Sequence, residues 1–392
     1  MIGFLTFLPT TAYVPQFFFL LAFVYALVKY KTRYLEDFSR FVANPKHLIN
    51  WNFLIIILII FFSTLNRLIH WDATTSLKDV FPYFILLIPT YVIALSFKRQ
   101  DAKVLVLLIA IEAIVVMLER FAGVSTFDRN LPGYMVFTGG ELAYFQRPLG
   151  LSDSSSIIAS KLLLAWLLID YYKLKKWFFV SAKVLIGMAI IVTFNRSVIM
   201  SLGVYWIFRN ISHFLKLKYT LDNAIKGLLG ALLVIIGLVA GVIVKGESIL
   251  NQFTRNQGTV ELTGREYIWL DFIEFIKENL IFGNNSIKLW LDTYHAHNSY
   301  IELIATNGIF ISLLYFIFIY RNIKWSNGLY VLPILIFGLT QYAFFWGVSI
   351  VDIILWVILF NVFYKEQTGI QITPAFLKAS QFPSASPKVN LK

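Results

Sequence analysis

Residues Phe53–Phe62 read FLIIILIIFF, ten consecutive positions without a polar side chain. A helix of this sequence is apolar on every side, so lipid or other apolar helices must surround it. Val104–Leu118, Gly227–Val244 and Ile309–Tyr320 also have little or no polar face. Charged residues make up only 14% of the chain, against roughly 25% in an average soluble domain. The sequence therefore predicts an integral membrane protein built from helices.

Eleven segments are candidate membrane spans. A short additional segment within Met1–Gln16 would make twelve, and this stretch lacks the basic start of a signal peptide, so we expect no cleavage. We predict an all-α fold: a polytopic transmembrane helical bundle, forming one domain over residues 1–364, followed by a disordered cytoplasmic tail at 365–392. The spans lie at about residues 9–29, 51–65, 80–97, 104–119, 156–171, 177–194, 197–208, 227–244, 299–320, 329–345 and 348–364.

The connections between these spans alternate in charge. One alternate set carries 21 Lys and Arg residues, whereas the other carries 11 and has more acids than bases. Cytoplasmic loops retain Lys and Arg, so the basic set should be cytoplasmic. The net charge of +12 therefore indicates topology and not a nucleic-acid partner. The less basic set, which we expect to face outward, comprises residues 67–79, 120–155, Arg196 and 245–298.

The outward loop 245–298 concentrates the hydrated groups that chemistry needs. It contains Arg255, Arg265 and two of the five histidines, within the run Tyr294-His295-Ala296-His297-Asn298. His297 stands only a few residues before the next span, so it should lie near the outer interface. A protein that gathers titratable and cationic groups on one side of the bilayer is expected to work there.

An amphipathic helix is predicted inside this loop. Thr263 and Glu266 have the spacing of a capping box, so the helix should begin near Gly264. It either lies on the membrane surface with its tryptophan at headgroup depth or packs on the protein's own outer face. The sequence leaves both arrangements open. The apolar stripe comprises Ile268, Trp269, Phe272, Ile273 and Ile276.

Two absences narrow the function further. The chain has no cysteine, which excludes disulfides, a thiol nucleophile and a Cys-ligated metal. It shows no repeat of 20–50 residues and no inverted hydropathy symmetry, which weakens the case for a repeat-built transporter.

Three segments, in order along the chain, resemble the signature of the O-antigen polymerase/ligase family. The resemblance covers roughly residues 147–318. Asn195 departs from the residue that the family often has before its arginine. The segments are residues 147–153 (RPLGLSD), residues 193–197 (TFNRS), and residues 263–269 (TGREYIW) followed by Gly283, residues 297–301 (HNSYI) and Gly308.

This resemblance implies a GT-C-like fold and a metal-independent glycosyltransferase of the bacterial inner membrane. The donor would be an undecaprenyl-diphosphate-linked oligosaccharide, used at the outer face without a cofactor. The other partners would be a glycan acceptor, membrane lipid and a chain-length regulator protein. Carried over residue by residue, the catalytic histidine is His297 and the substrate-binding arginines are Arg196 and Arg265, with Arg147 a weaker match. Asp153, Asn298, Glu302 and His295 are candidate supporting residues, and Glu302 is the candidate that orients His297.

These residue types suit the chemistry. Guanidinium groups bind a diphosphate bidentately and keep their charge. A neutral histidine, with an ordinary pKa of about 6.5, can take a proton from a sugar hydroxyl at ambient pH. Each residue also has a structural alternative: the arginines could anchor the ends of spans by snorkelling, and His295 and His297 could be hydrogen-bonding loop residues.

Two further sets of residues remain open. Asp292, His295 and His297 form only a weak metal-binding pattern. Five ionisable residues lie inside or beside predicted spans, where pairing within the bundle is the main alternative to a functional role. They are Glu112, Lys161, Lys183, Glu302 and Asp352.

The resemblance implies a polymerase that joins preassembled repeat units of O-antigen or capsule, because polymerases are the more numerous users of the family pattern. A ligase that moves the finished glycan to lipid A-core or to a protein would use the same donor and the same arginines. A non-enzymatic exporter of the lipid-linked oligosaccharide is the third hypothesis. It should place its charges at the membrane midplane facing a cavity, whereas most of the candidates here stand at the outer ends of spans.

Overall fold

A computed structural model describes residues 1–7, 17–29, 51–70, 82–124, 148–152, 154–214, 265–284, 288–291, 294–341, 343–345, 349–360 and 362. Twelve helices occur within these ranges. They are α1 (Ile2–Phe7), α2 (Phe17–Lys29), α3 (Trp51–Ile69), α4 (Pro82–Ser96), α5 (Arg99–Ala122), α6 (Ser155–Tyr171), α7 (Trp177–Val192), α8 (Arg196–Phe214), α9 (Arg265–Glu278), α10 (Ser299–Asn322), α11 (Trp325–Gly338) and α12 (Ile350–Leu359).

The structure is a helical bundle, as the hydropathy pattern predicted. Helices α3 and α10 are long and apolar enough to cross a membrane, by length and composition. Helices α2, α7, α11 and α12 and the Leu86–Ser96 part of α4 are apolar but shorter. The total of eleven or twelve spans and their orientation stay predictions. The predicted span 227–244, the tail 365–392 and most of the loop before Arg265 lie outside the described residues.

Helix α12 lies in the centre of the core. All ten of its residues are buried, which explains why every residue except Asp352 is apolar. Helix α12 packs against α4, α11 and α6, and other closely packed pairs include α8 with α11 and α5 with α6 and α7. The short helix α1 also packs on α5, where the backbone N–H of Gly3 donates to Asp101 Oδ1 at 3.1 Å.

Contacts between helix ends group the connections into two sets. At one end, the Asn52 and Asn322 side-chain amides exchange hydrogen bonds of 2.9 and 2.8 Å, so the start of α3 meets the end of α10. Arg99, the first residue of α5, donates to the carbonyl oxygen of Lys173, which lies in the connection after α6, at 3.2 Å. These connections all belong to the basic set of the sequence.

The opposite set is joined in the same way. Asn66, near the end of α3, donates to the carbonyl oxygen of Phe282 at 2.9 Å. The Arg120 guanidinium lies 5.7 Å from the ring centroid of Phe194, which joins the end of α5 to the connection before α8. Charge alternation had placed these connections together. The contacts therefore sort the ends as the charges do, without showing which end faces outward.

Ionisable residues inside the bundle pair with one another or with the backbone. Lys161 Nζ lies 3.0 Å from Glu112 Oε2, and neither side chain has any solvent exposure. Lys183 and Asp170 form a second pair at 2.6 Å. Charges placed in an apolar interior require such partners. The pairing interpretation therefore holds for Glu112, Lys161 and Lys183.

Candidate functional site

The second and third segments that carry the family resemblance meet at the end of α11, through residues 193–197 and the parts 265–269 and 297–301 of the third segment. Arg265, the first residue of α9, donates from Nη1 to the carbonyl oxygen of Thr340 at 2.7 Å. Ser299, the first residue of α10, donates to the carbonyl oxygen of Gln341 at 2.9 Å, and the Gln341 amide reaches Ser197 Oγ at 3.4 Å. The starts of α8, α9 and α10 thus converge on the joint Thr340–Gln341.

Ala296, the residue between the two histidines, has both of its backbone polar groups bonded to side chains. The backbone N–H of Ala296 donates to Glu302 Oε2 at 3.0 Å, and its carbonyl oxygen accepts from Trp269 Nε1 at 2.7 Å. Ala296 itself is completely buried. Glu302 also accepts from the backbone N–H of Leu289 at 2.7 Å. Glu302 therefore positions the histidine segment through the backbone, whereas the sequence suggested that it orients the His297 ring.

His295 and His297 form a close pair. Their ring centroids are 3.7 Å apart, and the backbone N–H of His297 donates to His295 Nδ1 at 3.2 Å. His297 has a φ of 49°, in the left-handed region that residues with a Cβ rarely adopt. The bond to His295 helps to hold this strained backbone, which is an argument for a positioning role of His295.

Both imidazoles are neutral at ambient pH. Burial, then the charge of Arg265 and that of Lys288, lower the pKa of His297 to about 4. Burial, then His297, Lys288 and Arg265, lower the pKa of His295 to about 3. A neutral ring is the form that can accept a proton. Arg265 lowers the pKa of His297 more than Lys288 does, and Lys288 lowers the pKa of His295 more than Arg265 does.

Asn298 has a structural role. Its side-chain oxygen accepts from the backbone N–H groups of Tyr300 at 2.9 Å and Ile301 at 3.2 Å, which makes it the N-cap of α10. Caps of this kind satisfy N–H groups that the helix itself leaves without partners. Asn298 therefore fixes where α10 begins, and with it the position of His297 immediately before.

Arg196 is the first residue of α8 and is partly buried. The Ser197–Gln341 contact brings its helix end to the same joint as Arg265. Asn195, the departure from the family pattern, accepts from the backbone N–H of Val198 at 3.2 Å. Asparagine at this position therefore caps the helix that carries the arginine.

Arg147 and Asp153 lie outside the described residues, but the five residues between them are described. The backbone N–H groups of Leu149 and Gly150 donate to Glu119 Oε2 at 2.9 and 2.7 Å. Ser152 Oγ donates to Glu112 Oε1 at 2.8 Å. The segment is thus fastened to α5, and the substrate-binding role of Arg147 and the supporting role of Asp153 stay predictions.

The amphipathic helix packs on the protein. Helix α9 is described from Arg265 onward and lies against α10, whereas the predicted start near Gly264 lies outside the described residues. Ile273 and Leu270 point to the exposed side instead, so the predicted stripe is wrong at Ile273. Trp269 also faces the protein, because its ring N–H donates to the carbonyl oxygen of Ala296. The packed face comprises Ile268, Phe272, Phe275 and Ile276.

Sequence reasoning missed Lys288 and Trp290. Lys288 Nζ lies 4.1 Å from the centroid of the Trp290 ring, and that ring lies 5.3 Å from the His295 ring. Burial lowers the pKa of Lys288, against the charge of Glu302, which raises it. The only signal in the sequence was a lysine two residues before a tryptophan. Lys288 reaches the site because Glu302 binds the backbone of Leu289.

A metal site finds no support among the described residues. They contain no group of three or more His, Asp or Glu side chains able to hold an ion. Asp292, the third member of the possible metal pattern, lies outside the described residues. Activity without a metal stays a prediction that only a measurement can test.

Comparison with known proteins adds no relative. No family model matches the chain, and no curated protein or solved structure matches it. The functional argument therefore depends on the residues and on their arrangement.

Proposed function

We propose that this chain is a membrane glycosyltransferase that uses an undecaprenyl-diphosphate-linked oligosaccharide at the outer face of the inner membrane and polymerises glycan repeat units. One observation supports this proposal above the others. The joint Thr340–Gln341 gathers the start of α8, the start of α9 and the histidine segment, so a guanidinium stands beside two neutral imidazoles.

The residues divide the chemistry between them. The neutral His297 ring takes the proton of the acceptor hydroxyl as the hydroxyl oxygen attacks the anomeric carbon of the donor sugar. The bond from that carbon to the diphosphate oxygen breaks, and the diphosphate leaves with the negative charge. Arg265 and Arg196 stabilise this leaving group. In addition to these two arginines, Lys288 places a positive charge on the His295 side of the histidine pair.

The electrostatics favour an anionic ligand here. Arg265 and Lys288 both lower the pKa of the histidines, so the site has excess positive field. Glu302, whose carboxyl group binds the histidine segment, accepts from two backbone N–H groups. A bound diphosphate would neutralise this field, and it would do so at the place where charge develops during the reaction.

The arrangement favours an enzyme over an exporter. Glu112 and Lys161, both buried within the described helices, pair with each other, as do Lys183 and Asp170. The candidate residues of the site are instead gathered at one end of the bundle. A ligase would use the same donor and the same residues, so the acceptor is what separates ligase from polymerase.

The test is product formation by the purified protein in nanodiscs, supplied with a polyprenyl-diphosphate-linked repeat unit. A ladder of longer lipid-linked glycans without any other acceptor supports the polymerase. A single transfer that requires added lipid A-core supports the ligase. If wild-type protein forms no new glycosidic bond with either acceptor while it still binds the donor, the enzyme proposal is wrong and the exporter hypothesis gains.

A further inference from the structure

The turn that follows α9 exposes three consecutive apolar side chains. Leu280, Ile281 and Phe282 have exposed fractions of 46%, 63% and 45%. They belong to the segment Asn279–Gly283, which we call the apolar turn. A contiguous apolar patch of this kind marks a contact with lipid or with another protein.

The backbone of the apolar turn is fastened into α10 instead of facing water. The carbonyl oxygen of Leu280 accepts from the backbone N–H of Ile309 at 2.8 Å. Immediately after the turn, the backbone N–H of Asn284 donates to the carbonyl oxygen of Ala305 at 2.9 Å. The carbonyl oxygen of Phe282 accepts from the Asn66 amide. Non-helical backbone is tolerated at membrane depth only when the protein satisfies its polar groups in this way.

Two glycines of the family signature make this contact possible. Gly308 interrupts α10 with a φ of 73°, and a Cβ there would overlap the carbonyl oxygen of Ile281. Gly283 has a φ of 63°, and its Cβ would lie 2.6 Å from the carbonyl oxygen of Ala305. Both positions need the left-handed backbone and the missing side chain. The two segments therefore touch backbone to backbone.

The contact places the apolar turn well below the start of α10. Gly308 lies nine residues after Ser299, or about 13 Å along a helix, and about 21 Å from the other end of α10 at Asn322. A bilayer core is about 30 Å thick, so a spanning α10 with Asn322 at the inner edge puts the turn about 9 Å inside the outer edge of the core. Lys277 and Glu278, just before the turn, are exposed, which fits the interface and not the bilayer centre.

The exposed surface around the turn is also apolar. Leu65 and Leu68 of α3 and Phe310 of α10 are exposed, and the Phe310 ring packs against Phe62 at 4.8 Å. The patch is therefore continuous with the exposed surfaces of α3 and α10, the two helices long enough to cross a membrane. This continuity identifies acyl chains as its occupant.

We propose that the apolar turn is inserted into the outer leaflet, with Leu280, Ile281 and Phe282 in contact with lipid acyl chains. Helix α9 is then a half-embedded helix: its lower end is anchored in lipid and its upper end, at Arg265, belongs to the candidate site. This inference does not depend on the reaction that the site carries out.

Spin-label accessibility tests the insertion. Because the chain has no cysteine, Ile281→Cys and Lys277→Cys each give one nitroxide site, and full-length protein in nanodiscs exposes both membrane faces. The label at position 281 should collide readily with oxygen and poorly with a water-soluble nickel chelate. The matched label at position 277 should show the reverse preference.

Two outcomes would overturn the proposal. Nickel accessibility at position 281 equal to that at position 277 would mean that the turn lies in water. Low accessibility to both reagents would mean that protein covers the turn, such as a second copy of the chain. Each labelled variant should first elute as the wild type does, so that the comparison is made on folded protein.

Discussion

Replacing Glu302 by glutamine tests whether this buried residue positions the histidine segment. Its two carboxyl oxygens accept from the backbone N–H groups of Leu289 and Ala296 at 2.7 and 3.0 Å. Glutamine keeps one oxygen but turns an N–H₂ group toward the second backbone N–H. One hydrogen bond is lost, and two donors then face each other in a buried place.

The expected cost follows from these contacts. Burial raises the pKa of Glu302 to about 7, against the lowering effect of these two hydrogen bonds, so both variants are compared at pH 8, where the carboxylate is ionised. A hydrogen bond to a charged group contributes about 1.5–3 kcal/mol, and a buried N–H without a partner costs about 1–3 kcal/mol. We therefore expect Glu302→Gln to lower the free energy of unfolding by about 3 kcal/mol. Ala296 directly precedes His297, and a shift of about 1 Å in a reacting group can reduce turnover about 100-fold. Turnover should fall by about that factor.

The assay compares thermal unfolding and product formation in the same nanodisc preparation. Glu274→Gln is the matched control, because Glu274 lies on the exposed face of α9 and should change neither quantity. If Glu302→Gln lowers the unfolding temperature but leaves turnover unchanged, the residue is only structural. If neither quantity changes, the reasoning about the two hydrogen bonds is wrong.

Three further predictions concern the charges and rings of the site. His297→Ala should reduce turnover by about 10²–10⁴-fold with donor binding retained, and His295→Ala should reduce turnover less. Normal product formation by His297→Ala would exclude His297 as the general base. Because its pKa is lowered to about 4, protonation of His297 should reduce kcat/KM only toward pH 4, whereas protonation of Glu302, whose pKa burial raises to about 7, should give a separate fall near pH 7 that Glu302→Gln removes. A fall centred near pH 6.5 that persists in Glu302→Gln would contradict the burial of the His297 ring. The kcat profile should fall at a higher pH than kcat/KM, because a bound diphosphate offsets the charge of Arg265 and raises the pKa of His297. Lys288→Met should weaken binding of a polyprenyl diphosphate about tenfold, whereas Lys277→Met, at an exposed position, should leave it unchanged. If titration calorimetry gives Lys288→Met and the wild type the same affinity, Lys288 does not belong to the binding site.

The sequence alone determined the helical class and the helix positions. Ten of the predicted spans have a helix in the structure, and α3, α6 and α7 begin within one residue of their predicted starts. This is possible because a long apolar segment needs an apolar environment and a helix satisfies its own backbone. The alternating charge of the connections also sorted the helix ends correctly relative to each other, as the Asn52–Asn322 contact shows.

The sequence also identified several residues that the structure brings together. Arg265, His295 and His297 were candidates, and the structure places them around one joint. Motifs spaced along one outward face can be found in this way, because chemistry requires particular residue types. Their distances from one another could not be predicted, because the joint is made by Thr340 and Gln341, far along the chain.

Tertiary structure alone decided what each neighbouring side chain does. Glu302 stands five positions after His297, which suggested contact with the ring, yet its oxygens bind backbone N–H groups that the turn presents. Lys288 belongs to no sequence motif, and it lies at the site because the same carboxyl group binds the backbone of the next residue, Leu289. Gly283 and Gly308 are required because two segments contact each other backbone to backbone at these positions. Local sequence encodes helix formation and the grouping of the helix ends, because these depend on nearby residues. Hydrogen bonds between distant segments depend on how the helices pack.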